Sequence, residues 1–258
     1  MEKLNIISLL VKEIKEKKEL SGISDSIVKE ALSAYLEKNR INILNSSKQD
    51  KKLITKEVRS QLRLLNGRFQ PSIKKRSKII ASKNYEKILE THSSTKERLL
   101  FYPKLKELID SLNVNSIVDL GCGLNPIALS KKDVSYYAYD INESELNIIN
   151  DYFKQKGITG FAKVYDLRKF NSSDFPKADL CIIFKVLDII GKNKYEITES
   201  ILNSNLFSKF LISFSTKKLS GKKMNQPKRL WFESTLSKLN MNFKTIESEN
   251  EIFYLIER

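Results

Sequence analysis

The sequence predicts an α/β protein: a mostly parallel seven-stranded sheet with helices on both faces, preceded by an all-helical N-terminal domain. Three observations predict it. Residues 1–112 carry only helix-period apolar patterns. From residue 113, apolar runs of strand length alternate with helical stretches, as in a parallel sheet buried on both faces. The chain ends in two strand runs joined by Asn250, the mark of a tight antiparallel pair. Two domains follow, 1–112 and 113–258.

The elements follow in order. In 2–20, Leu4, Ile7, Leu10, Val11 and Ile14 recur at helical spacing. Ser24 or Ser26 caps a second helix, striped by Ile27, Val28, Ala31, Leu32 and Tyr35. A third covers 51–66 with a basic outer face, and NGRFQP (66–71) breaks the chain after it. Further helices are expected over 72–90 and 94–112. Strands are expected at SIVDLG (116–121), SYYAYDI (135–141), FAKVYDL (161–167), ADLCIIFKVL (178–187) and KFLISFS (209–215). FKTIESE (243–249) and EIFYLIE (251–257) form the terminal pair. Helices fall between them at 143–156, 194–204 and 224–240.

Composition narrows the function. No apolar run reaches the roughly 18 residues that a membrane-spanning helix needs, and the charged N-terminus is not a signal peptide. Cys122 and Cys181 lie in strand-like apolar runs and read as small buried residues. A cytoplasmic protein without disulfides is expected. The single histidine, His92, excludes a His-based cluster, and no metal is expected. The net charge of +15 points to a polyanionic partner. Residues 51–80 hold ten basic residues against one acid, and residues 217–229 hold six and none. Two such separated runs favour nucleic acid over a merely solvated face.

The stretch VDLGCGLNP (118–126) places Gly121 and Gly123 at the end of the first strand, where open parallel sheets bind ligands. Glycine allows a sharp turn and close backbone approach. A dinucleotide loop would carry a third glycine at Pro126, to pack helix on strand beneath a pyrophosphate. Its loss favours S-adenosylmethionine (SAM), which has no phosphate. Asp140, 19 residues after Gly121, ends the second strand and can accept both ribose hydroxyls. Asp166 ends the third, where its carboxylate can accept from an adenine amino group and Leu167 can offer its backbone N–H.

The fourth strand end reads Phe184-Lys185-Val186-Leu187. It has neither an Asn/Asp-Pro-Pro-aromatic turn, typical of adenine amino methylation, nor a Pro-Cys nucleophile. This suits an acceptor that is already nucleophilic, such as guanine N7. Alignment alone then serves, with no general base.

HSSTKERL (92–99), VDLGCGLNP, FKVL and SFSTKKLSGKKMNQPKRLWFES (213–234) together resemble the aminoglycoside-resistance 16S rRNA (guanine-N7) methyltransferases, over about residues 60–258. The strand order also resembles the Rossmann-like class I SAM methyltransferase fold. The resemblance implies that Arg98 binds the SAM carboxylate through a charge-assisted pair, with His92, Ser93 and Ser94 lining the methionine end. It places Asp119, Gly121 and Gly123 at the cofactor, Asp140 and Ile141 at the ribose, and Asp166 with Leu167 at the adenine. Phe184 walls the site, Phe69 and Asn193 lie near it, and Lys185 contacts the target base. No catalytic residue is assigned. The chain departs from the family at Asp188 and Ser215, where relatives carry proline, and in QPKR (226–229). These departures bear on the target pocket rather than on SAM.

The resemblance makes the 30S subunit the partner of a monomeric enzyme. Lys51, Lys52, Arg59, Arg63, Arg68, Lys74, Lys75 and Arg76 would dock on 16S rRNA. Lys217, Lys218, Lys222 and Lys223 would grip the backbone beside an extruded guanine. Trp231 has two readings, a base-stacking ring or a helix packing on the sheet. Two other functions stay open: methylation of another rRNA or tRNA base, and RNA binding without catalysis.

Overall fold

The N-terminal stripes close on one another as α1 (Glu2–Lys15), α2 (Asp25–Lys38) and α3 (Lys48–Asn66) in the computed structural model, which describes residues 2–66, 73–217, 222 and 224–258. Their core holds Leu10, Val11, Ile14, Ile27, Val28, Leu32, Ile54, Val58 and Leu62. α3 starts on a reciprocal cap: the Ser47 N–H donates to Asp50 at 2.9 Å, and the Asp50 N–H donates to Ser47 Oγ at 3.1 Å. Hydrogen bonds from Ser47 hold the Asp50 carboxyl below its ordinary pKa.

The expected helix over 72–90 is two helices, α4 (Ile73–Ala81) and α5 (Tyr85–Leu89). Lys83 turns to φ +51 between them, and Asn84 caps the second by accepting from the Lys87 N–H at 3.1 Å. The expected helix over 94–112 also splits, into α6 (Ser93–Arg98) and α7 (Tyr102–Ser111). Pro103 sits in the first turn of α7, where its missing N–H costs nothing; within a continuous helix it would break a hydrogen bond. Ile88, Leu89, Tyr102, Leu105 and Ile109 join the core of the sheet, not that of the bundle. Packing therefore groups α5 and α7 with the sheet rather than with the bundle.

The sheet has the expected seven strands: β1 (Ser116–Leu120), β2 (Ser135–Asp140), β3 (Gly160–Val164), β4 (Ala178–Phe184), β5 (Phe207–Ser215), β6 (Phe243–Glu247) and β7 (Glu251–Glu257). Their order is β3-β2-β1-β4-β5-β7-β6. The first five are parallel, and β7 runs antiparallel between β5 and β6. Side chains alternate between two cores: Leu180, Ile182 and Phe184 face one, Cys181 and Ile183 the other. Helices α9 (Glu143–Lys156) and α10 (Lys194–Leu202) lie near their expected places. α11 (Leu230–Lys238) starts six residues later than expected. Pro227 disfavours helix before it, and the Arg229 N–H is held by the Tyr254 hydroxyl at 3.0 Å. A short helix the sequence reading missed, α8 (Asn125–Leu129), follows the glycine turn. Pro126 sits in its first turn, a position whose unpaired N–H and helical φ suit proline.

The bundle meets the sheet just past β2. Ser24 N–H donates to the Ile141 carbonyl at 3.0 Å, Ser144 N–H donates to the Gly22 carbonyl at 3.2 Å, and Ile23 bridges Asn142. A Cβ on Gly22 would lie 2.5 Å from Asn142 Oδ1. Among the described residues, no helix is long and apolar enough to cross a membrane.

Candidate functional site

β2 and β3 lie to one side of β1, and β4 and β5 to the other, which puts the switch of direction at the carboxyl ends of β1 and β4. The glycine turn stands there. Gly121 and Gly123 take φ +70 and φ +50. A Cβ on Gly121 would lie 2.3 Å from Val186, and one on Gly123 3.3 Å from the His92 ring, so both turns need the bare backbone. Asp140 faces this turn. Its carboxylate accepts from the Gly123 N–H and the Asn142 N–H, each at 2.9 Å. Burial raises the Asp140 pKa against these two bonds. The structure thus joins Gly121, Gly123, Asp140 and His92 in one place.

Asp119 is fully buried beneath the turn and accepts from the Tyr136 hydroxyl at 2.8 Å. Its Oδ1 has no hydrogen-bond partner among the described residues, and burial pushes its pKa up to about 7. His92 Nδ1 lies 3.1 Å from Ser94 Oγ. Burial lowers the His92 pKa to about 4, so the ring is neutral at pH 7. Ser93 Oγ is buried and likewise without a partner among the described residues. Leu167 is buried beside Asp166.

Two expected residues are engaged differently. Asp166 accepts from its neighbour Arg168, at 3.0 Å from the backbone N–H and 2.9 Å from Nε. Arg98 is 2% exposed and forks onto Glu251, with Nε to Oε2 at 2.9 Å and Nη2 to Oε1 at 2.8 Å. Its Nη1 donates to Asn125 Oδ1 at 2.7 Å, and its guanidinium lies 4.8 Å from the centre of the Phe184 ring. Burial raises the Glu251 pKa, but Arg98 and Lys185 outweigh it and hold the carboxyl below its ordinary value. Sequence reasoning missed Glu251, Asn125, Tyr102 and Ser213, all joined to this cluster. The one signal for Glu251 is an acid opening a strand whose next five residues are Ile, Phe, Tyr, Leu and Ile.

Lys185 turns left-handed at φ +59, a conformation that costs a non-glycine residue about 1 kcal/mol or more. β4 therefore stops at Phe184, three residues short of the expected end. The Lys185 ammonium reaches Glu97 at 2.8 Å and Glu251 at 3.4 Å. Asn193 is exposed at the start of α10, and no described contact ties it to the cluster. Phe69 lies outside the described residues.

The basic residues divide. Lys52 and Arg63 are exposed on α3 and Lys51 is half-buried, with Arg63 paired to Glu19 at 2.7 Å. Arg59 instead turns its guanidinium to the Glu13 and Ile14 carbonyls at the end of α1. Arg76 corrects the expectation most clearly: it is buried, bonded to Glu145 and to Thr91, and cannot reach a phosphate. Lys217 pairs with Glu249 at 2.8 Å, and Lys222 is exposed. Arg68, Lys218 and Lys223, and the side chains of Lys74 and Lys75, lie outside the described residues. Trp231 packs on Phe214 and Phe232, the second of its two readings. The described residues contain no cluster able to hold a metal.

The model of the family described as ribosomal RNA methyltransferase (FmrO) matches residues 78–255. A 16S rRNA (guanine(1405)-N(7))-methyltransferase of Serratia marcescens is 28% identical over 193 residues, which cover 72% of this chain and 75% of that protein. The structure of the 16S rRNA methylase ArmA is 27% identical, covers 72% of this chain and 98% of its own, and superposes with a TM-score of 0.57. The structure of 16S rRNA methyltransferase RmtF with S-adenosyl-L-homocysteine covers 98% of both chains with a TM-score of 0.76; at 20% identity it speaks for the fold alone.

Proposed function

This chain belongs to the ribosomal RNA methyltransferase (FmrO) family, and from that premise we propose that it methylates N7 of a decoding-site guanine of 16S rRNA in the 30S subunit. The observation that carries the reading is the turn at β1: two left-handed glycines, with a strand-end carboxylate bonded across them. The site suits SAM. It offers a bare-backbone turn, a carboxylate beside it, and two buried polar atoms, Ser93 Oγ and Asp119 Oδ1, with bonding capacity left over.

SAM supplies a methyl group on a sulfonium, already electrophilic. The Asp140 carboxylate keeps lone pairs that would take the ribose hydroxyls, and Leu167 and Asp166, the latter already held by Arg168, would flank the adenine. His92, Ser93, Ser94 and Arg98 form the methionine end, with Phe184 as its wall. Arg98 donates to both Glu251 oxygens, so a ligand carboxylate would share its guanidinium with that pair. Lys185, strained at the end of β4 and paired with Glu97, would contact the target base. Guanine N7 carries no proton at neutral pH, so these residues need only align it with the methyl group. Neither cysteine acts as a nucleophile: both are buried, which pushes their thiols well above the ordinary range.

The exposed cations of α3, with Lys217 and Lys222, form the surface for rRNA phosphates. The enzyme acts as a monomer in the cytoplasm, and its expression confers aminoglycoside resistance. The test is to incubate purified protein with 30S subunits and SAM, then map the product by reverse transcription and mass spectrometry. N7-methylguanine at the decoding site is expected. Its absence, with methyl transfer elsewhere or nowhere, overturns the reading. Aminoglycoside susceptibility of expressing cells tests the biological role.

A further inference from the structure

Arg229 closes the basic run 217–229, yet its side chain is only 11% exposed. Its Nε donates to Asp188 Oδ2 at 2.9 Å. Nη1 donates to the Pro227 carbonyl at 2.9 Å, and Nη2 to the Ser215 carbonyl at 2.7 Å. Nη2 also lies 3.6 Å from Met224 Sδ, and the guanidinium lies 5.5 Å from the centre of the Phe214 ring. Little is left of this cation for a phosphate.

The acceptors come from separate segments. Asp188 belongs to the loop that leaves β4, Ser215 is the last residue of β5, and Pro227 and Met224 belong to the loop that leaves β5. Both loops leave the carboxyl ends of neighbouring parallel strands, on the side where such sheets take ligands. The first carries Lys185 and the second carries Lys217 and Lys222. The planar guanidinium fork can serve several fixed acceptors at once, whereas a lysine ammonium is a single point on a flexible stem.

We propose that Arg229 is a positioning residue for the acceptor base: it pins the loop 185–193 to the exit of β5 and so fixes the opening through which the base approaches. The proposal rests on the methyltransferase reading above. Arg229 touches neither cofactor nor base in it and acts through the two loops.

The test compares full-length wild type, Arg229→Lys and Asp188→Asn by hydrogen exchange, SAM titration and steady-state methylation of 30S subunits. The informative amides are Lys185 and Ile189, bonded to the Ser213 and Val186 carbonyls at 2.9 Å each. Arg229→Lys is expected to speed exchange at both. It is also expected to raise KM for 30S about tenfold, the scale of a modest misplacement, with SAM affinity unchanged. Asp188→Asn keeps an acceptor and is expected to show the same changes, smaller. It carries the test if Arg229→Lys does not fold. Unchanged exchange overturns the clamp whether or not the protein methylates 30S. Faster exchange with an unchanged KM overturns the positioning role. A parallel loss of SAM affinity also overturns it, because the effect would then be general to the site. A wild type inactive on 30S overturns the underlying reading, and the exchange arm still judges the clamp.

Discussion

Helices α1–α3 and helices α4–α7 are written in one basic, amphipathic style, yet among the described residues only the second group buries arginines against distant acids. The bundle turns Lys52 and Arg63 to solvent around a core of its own. The second group lies on the sheet and sends Arg76 and Arg98 inward, to Glu145 and Glu251. The partners lie 69 and 153 residues away, so local charge counting cannot separate the two uses. A basic run indicates a surface only after its long-range acids are placed.

Breaking the contrast should be most costly on the inward side. Glu251→Ala is expected to destabilise the protein by about 3–5 kcal/mol in urea unfolding, because it strands a buried guanidinium. A loss below about 1 kcal/mol would show that the pair is not what orders this region. Arg76→Ala should also cost stability while leaving the salt dependence of 30S binding unchanged.

Asp140→Ala tests the cofactor side. SAM affinity in calorimetric titration is expected to fall by about 1.5–3 kcal/mol, the scale of a charged hydrogen bond, with 30S binding retained. Equal affinity would remove Asp140 from the site.

Stability should also respond to the Asp119 proton. The folded-state pKa of Asp119 is raised to about 7 by burial, from 3.8. The folded protein therefore holds this proton more tightly than the unfolded chain. The contribution is full below pH 3.8 and is lost as pH rises through about 7. Asp119→Asn should remove that fall from the stability–pH curve. Parallel curves would mean that Asp119 is ionised throughout.

The smallest stability effect belongs to the bundle surface. Lys51→Ala with Lys52→Ala should change stability by less than about 0.5 kcal/mol. The pair should also lower the slope of log K against log salt by roughly 0.7–0.9 for each phosphate that is no longer neutralised. An unchanged slope would make α3 a solvated face and erase the contrast.

Strand existence and order were legible because the buried parallel strands leave continuous apolar runs, and the glycine turn with Asp140 was legible from spacing. Helix interruptions at Lys83 and Pro103 were not, since amphipathic spacing continues across both. Asp166 shows a local signal overlooked, an arginine two residues on that takes the carboxylate. Asp188, Ser215 and QPKR stood out as three departures from the family pattern that bear on the target pocket. In space they are one arrangement around Arg229, which no linear reading joins.

The seam at Gly22 constrains how this protein can change over time. A side chain at 22 would displace the Asn142 amide, because the added carbon would sit 2.5 Å from the amide oxygen. The two positions are therefore coupled, although one belongs to the bundle and the other lies two residues beyond Asp140. A chimera that grafts a foreign bundle onto this sheet must bring a glycine to that position or give up Asn142, and with it the cap of α9.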